Sequence, residues 1–176
     1  MPYINKADRQ KYREIIRDVM ALIPSDTPAL EQGERLAFFA DAVIQALVKS
    51  LDRGRYSTGS GLEATFREHA KKLAAVLPAT LDLRAGDLNY VLSMISWGLC
   101  GHAPERKPAK YCLRSFIKGG LWRALLSNQN TLSGAEYVFF AGVFTDVIDE
   151  MYRRCTVVYE DYKIQDSGDI VGDLWP

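Results

Sequence analysis

The chain has 176 residues, 48% of them apolar and 25% charged, which is enough for one domain with a sizeable core. That composition excludes wholesale disorder, collagen-like repeats and a disulfide-dense scaffold. Its 22 Lys and Arg balance 22 Asp and Glu to a formal net charge of +0, so no global field draws it to nucleic acid or to an anionic membrane.

From Asp8 to Ile23 the apolar positions Tyr12, Ile15, Ile16, Val19, Leu22 and Ile23 recur at three- and four-residue spacing, the signature of an amphipathic helix. Pro24 and Pro28 stop it, and Asp26 or Thr27 is placed to cap the next. Residues 29 to 52 carry Leu30, Leu36, Phe38, Phe39, Ala42, Val43, Ala46, Leu47 and Leu51, a face broad enough for the interior of a bundle. Arg53 to Gly61 reads as a loop, and Leu62 to Leu77 as a third helix ended by Pro78. Leu81 to Gly86 reads as a connector, with Asp87 capping a fourth helix that carries Leu88, Val91, Leu92, Ile95 and Leu99.

Gly101 to Pro108 is loop chemistry, followed by a fifth helix from about Ala109 to Leu126. Gly119-Gly120 inside that helix marks a kink, a break or a close helix crossing. Ser127 to Asn130 forms a polar turn, and Ser133 with Glu136 has capping-box spacing. The sixth helix, Gly134 to about Val158, is the longest and most apolar, and is expected at the centre. The fold class expected is therefore all-α: a bundle of about six helices over residues 1–158, with an acidic tail at 159–176 that is extended or a short hairpin, packed on the bundle or on a neighbouring subunit.

The opening Met1-Pro2-Tyr3, with Lys6, Asp8 and Arg9 close behind, lacks the apolar stretch of a signal peptide. The longest apolar run, Tyr137 to Phe144, falls well short of the roughly 20 residues that cross a bilayer. Cys100, Cys112 and Cys155 are odd in number and lie in apolar helical patterns, as free thiols do in a reducing compartment. A cytoplasmic protein with no membrane span is expected.

The start MPYINKADRQKY, the segment Gly86-Asp87-Leu88-Asn89-Tyr90, the run Met151-Tyr152-Arg153-Arg154 and the stretch from Tyr159-Glu160-Asp161 through Lys163-Ile164 to Gly168-Asp169 carry a resemblance. Together they resemble a family of small bacterial and phage proteins of unknown function that share an MPYI start, a GxLNY segment and a YRR and YEDxKIxxxGD end. Residues 24–84 and 105–130 look like insertions relative to its shorter members. The resemblance implies a compact helical protein in a bacterial or phage setting, and no reaction.

Lys107, Lys110, Arg114 and Lys118 are spaced three, four and four residues apart and form one basic stripe if the fifth helix runs through them, with Trp122 near it. A stripe of this kind holds an anionic ligand or an acidic protein surface, although basic helix faces are also common as solvated surface. Glu160, Asp161, Asp169 and Trp175 make the tail acidic with an apolar anchor, suited to docking on that stripe of its own or a neighbouring subunit, and a homo-oligomer is expected. Cys100 and His102 lack the CxxC spacing of zinc modules, so neither metal nor cofactor is expected.

Glu31 with Glu34, and Asp146 with Asp149 and Glu150, give acidic pairs on two helices, the arrangement by which all-α pyrophosphohydrolases hold magnesium. Asp149 to Arg153 and Glu150 to Arg154 are equally the spacing of simple ion pairs. The leading reading is a non-enzymatic accessory protein that binds a protein partner or an anionic ligand. From the setting that the resemblance implies, its target would be a host defence or replication component. The alternative is a magnesium-dependent nucleotide pyrophosphohydrolase, and nucleic-acid binding ranks third.

Overall fold

A computed structural model describes residues 4, 7–24, 27–48, 61–100, 109–157 and 161. A 3-10 turn, Asp8–Tyr12, leads into α1 (Arg13–Ala21), followed by α2 (Ala29–Leu47), α3 (Leu62–Val76), α4 (Leu81–Cys100), α5 (Ala109–Asn128) and α6 (Gly134–Met151). A π-helical turn, Tyr152–Thr156, continues from α6. The described residues contain no strand, and they form a compact helical bundle. Except for exposed Asp161, the expected acidic tail lies outside the described residues, as does most of the expected loop at 53–61.

Helix ends follow local chemistry. α2 opens directly behind Pro28, whose carbonyl accepts from the Gln32 amide at 2.9 Å. The Gln32 side chain donates back to the Thr27 carbonyl at 2.7 Å, so Thr27 serves through its backbone and not as a side-chain cap. Gly61 precedes α3 at φ 75°, a left-handed conformation that favours glycine. At α6 the expected capping box is present: Ser133 Oγ accepts from the Glu136 amide at 3.3 Å, and Glu136 Oε2 accepts from the Ser133 amide at 2.8 Å.

The stretch 81–86 is the start of α4 and not a connector, held there by Arg84, whose Nε donates to the Pro78 carbonyl at 2.9 Å. Asp87 is consequently a buried position within the helix and not a cap. Its carboxylate accepts from the Tyr12 hydroxyl and pairs with Lys11 at 3.2 Å, pinning the N-terminal turn onto α4. Burial, and then the hydrogen bond to Asp87, push the Tyr12 hydroxyl's pKa upward.

The core joins all six helices through side chains such as Val19, Phe39, Phe66, Leu92, Leu121 and Phe144. Each such large apolar side chain contributes roughly 1.5–3 kcal/mol of transfer free energy when fully buried. Phe39 of α2 meets Phe66 of α3 with ring centroids 6.1 Å apart. The expected central helix is one-sided: α6 buries Phe140, Val143, Phe144, Val147 and Ile148 but leaves Val138 70% exposed.

Chain direction can be read from the contacts. Tyr12 meets Asp87, and a Cβ at Gly98 would run into the Met20 thioether, so α1 and α4 run parallel. α2 and α5, the most extensively packed pair, are parallel too. No described helix is long and apolar enough to cross a membrane.

Candidate functional site: the α2–α5 seam

The parallel α2–α5 pair is built on one repeated pattern. Gly33, Ala37 and Asp41 follow each other at four-residue steps on α2, and Gly120, Ala124 and Asn128 do so on α5. Residues four apart stack on one helix face, and these two faces meet. A Cβ on Gly120 would lie 2.5 Å from the Gly33 carbonyl oxygen and 3.4 Å from the Ala37 Cβ. One on Gly33 would lie 2.7 Å from the Phe116 Cβ. Of the three options for the Gly119-Gly120 pair, the structure therefore selects a close crossing, centred on Gly120, while Gly119 has nothing within 4 Å.

Two turns further on, Asn128 Nδ2 donates to Asp41 Oδ1 at 2.6 Å, joined by Ser127 Oγ at 3.3 Å. The Gln45 amide donates to Asp41 Oδ2 at 2.7 Å. Burial raises the Asp41 pKa above the usual carboxylate value, partly offset by the hydrogen bonds from Asn128 and Ser127. Ser127 and Asn128, expected in a turn, thus close the last turn of α5.

The outward side of the seam carries the candidate surface. Leu30, Glu34, Phe38 and Asp41 share one stripe of α2, and Arg123, Leu126 and Ser127 share one stripe of α5. Glu34 meets Arg123 at 3.8 Å and Asp41 meets Ser127, so the two stripes lie side by side. Along them Leu30 is 51% exposed, Phe38 46% and Leu126 50%. Isolated exposed apolar residues are ordinary, whereas several on one rigid seam form a surface suited to contact.

The expected basic stripe is described only in part. Lys107 lies outside the described residues, and the backbones of Lys110 and Arg114 lie on α5 while their side chains lie outside. Lys118 is exposed, and Trp122 is half-buried against the core. Of the tail residues, Asp161 is exposed, and Glu160, Asp169 and Trp175 lie outside.

The expected magnesium carboxylates are placed apart in function. Glu31 holds Arg35 at 2.6 Å, and Arg35 also donates to the Leu22 carbonyl at 2.7 Å. Glu34 is the partner of Arg123. Asp146 and Asp149 are exposed on α6. Glu150 accepts from Arg153 at 3.0 Å and from Arg154, whose guanidinium also lies over the Trp97 ring at 5.3 Å. The Arg153 hydrogen bond leads the effects that lower the Glu150 pKa. Among the described residues, no group of three or more His, Cys, Asp or Glu is arranged to hold a metal ion.

Asp41, Phe38 and Gly33 are absent from the sequence-derived sites. The available signal was the Gly-x3-Ala-x3-Asp/Asn spacing, which occurs on both helices but joins residues 87 positions apart, from Gly33 to Gly120.

No curated protein and no solved structure matches the chain. Residues 1–170, which include both segments read as insertions, match the domain of unknown function DUF6899, and the chain belongs to that family.

Proposed function

We propose that the chain is a non-enzymatic binding protein that engages a protein partner through the outward side of the α2–α5 seam. The observation that carries this reading is the half-exposure of Phe38 and Leu126 on two helices whose backbones are pinned together at Gly33 and Gly120. A rigid scaffold reduces the ordering cost of association, and apolar anchors at the centre of an interface supply most of its free energy. Exposed Lys118 and half-buried Trp122 lie further round α5, and Lys118 suits an acidic rim on the partner.

The test replaces Leu126 with a photo-crosslinking amino acid in bacterial cells, irradiates them and identifies adducts by mass spectrometry. A discrete protein adduct is expected from position 126, lost when Phe38→Asp is added. Labelling no stronger or more selective than that from exposed Asp146 on α6 overturns the reading.

A further inference from the structure

We infer that the partner is a second copy of this chain, packed on the α2–α5 seam about a two-fold axis parallel to the two helices. The inference rests on the binding reading above and names its partner. The seam has an acidic edge and a basic edge at one height, because Glu34 on α2 and Arg123 on α5 reach each other at 3.8 Å. Both side chains are partly exposed, 45% for Glu34 and 63% for Arg123, and therefore accessible from outside.

A two-fold axis along the helices carries α2 of one copy over α5 of the other without changing height. Each Glu34 then faces Arg123 of the second copy. An axis lying across the helices would instead set α2 on α2 and α5 on α5, where the stripe of Glu34 offers no base and that of Arg123 no acid, and at the height of the ion pair it would set like charge on like charge. The charge pattern therefore selects one of the two ways in which the face can meet itself.

The apolar positions obey the same operation. Phe38 lies about 6 Å along the helix from Glu34, and Leu126 about 4.5 Å in the same direction from Arg123, at 1.5 Å per residue. The axis that pairs the charges thus also brings Phe38 over Leu126 of the second copy. Leu30, one turn before Glu34, falls opposite Gly119, one turn before Arg123. Leu30 is half-exposed and exposed Gly119 has nothing within 4 Å of a Cβ built on it, so Leu30 of one copy meets a position with no side chain to oppose it. With a formal net charge of +0, two copies carry no long-range repulsion to overcome.

The test is a charge-swap mixing experiment read by light scattering and sedimentation velocity. The native chain is expected at twice 19.8 kDa, and Glu34→Arg and Arg123→Glu each at the monomer mass. In an equimolar mixture of the two variants, both contacts between position 34 of one copy and position 123 of the other join an acid to a base, while the pair within each chain stays broken. The mixture is expected to recover the dimer, with affinity at least tenfold above that of either variant alone. Leu30→Asp, which leaves the ion pair intact, is expected to dissociate the native dimer as well.

A monomeric native chain, single variants that still dimerise, or a mixture that stays monomeric each overturns the inference. A monomer combined with a position-126 crosslink to a different protein removes self-association and keeps the binding reading. A monomer combined with no selective crosslink removes both.

Discussion

Gly119 and Gly120 are neighbours in one helix, yet alanine should act on them in opposite directions. Relative to glycine, alanine stabilises a helix interior by roughly 0.8–1.0 kcal/mol, and at Gly119 nothing within 4 Å opposes the new Cβ. Gly119→Ala is therefore expected to gain about 1 kcal/mol. At Gly120 the Cβ would sit 2.5 Å from the Gly33 carbonyl oxygen, against the roughly 3.3 Å at which carbon and carbonyl oxygen approach across helix interfaces. The two helices must separate by about 0.8 Å to restore that distance, and the obstructing atom is backbone, which has no rotamer to escape into.

Overpacking of this kind costs about 1–3 kcal/mol, and a backbone obstacle places Gly120→Ala at the upper end. After the helix-propensity gain the net loss is about 2 kcal/mol, so the neighbouring variants should differ by about 3 kcal/mol. For a chain of this size 1 kcal/mol shifts Tm by about 2–4 °C. Calorimetry should find Gly119→Ala up by about 2–4 °C and Gly120→Ala down by about 4–8 °C. Equal shifts of the same sign would refute the close crossing as the reason for glycine at position 120.

Three further outcomes follow from the polar contacts. Because burial raises the folded-state pKa of Asp41 above its ordinary value of 3.8, its contribution to stability is greatest below that value and is lost as pH rises through the folded pKa. Urea unfolding should show Asp41→Asn gaining on the native chain between pH 3 and pH 7, and a gap independent of pH would contradict this. Glu150 has the opposite sign, since its arginine partners depress its pKa below 4.5; Glu150→Gln should cost about 1 kcal/mol at neutral pH, and the cost should vanish as pH falls through the depressed value. Ser133→Ala removes the capping hydroxyl of α6 and should cost about 1 kcal/mol, with faster hydrogen exchange confined to the first turn of that helix.

The helical architecture was legible because the buried side chains recur at helical spacing. Ile16 and Val19, Leu88 and Leu92, and Val143 and Val147 each fall on the predicted inner faces. Leu30 and Phe38 read as part of the apolar face of α2 in the sequence, because apolar identity alone does not distinguish a packed face from a contact face. Gly86 and Asp87 resemble a turn and a cap, which hides the start of α4, and only the distant Tyr12 hydroxyl reveals Asp87 as a buried acceptor. Asp41 was hidden for a similar reason. An acid within an apolar stretch of helix is ordinary until Asn128 arrives beside it, and no local pattern announces a partner so far along the chain.

The pairing of α2 with α5 also governs how the chain must be made. The inner face of α2 acquires its principal cover only after the ribosome has added the 87 residues that separate Gly33 from Gly120. At about 5–20 residues per second, that leaves a nascent apolar helix without its main mate for roughly 4–17 s. Fast local folding can assemble α2 with α3 but cannot finish the layer, so contact order makes the α2–α5 closure a late and slow step. Synthesis halted before Ala109 should therefore yield a chain that depends on a chaperone holding α2 until its mate is made.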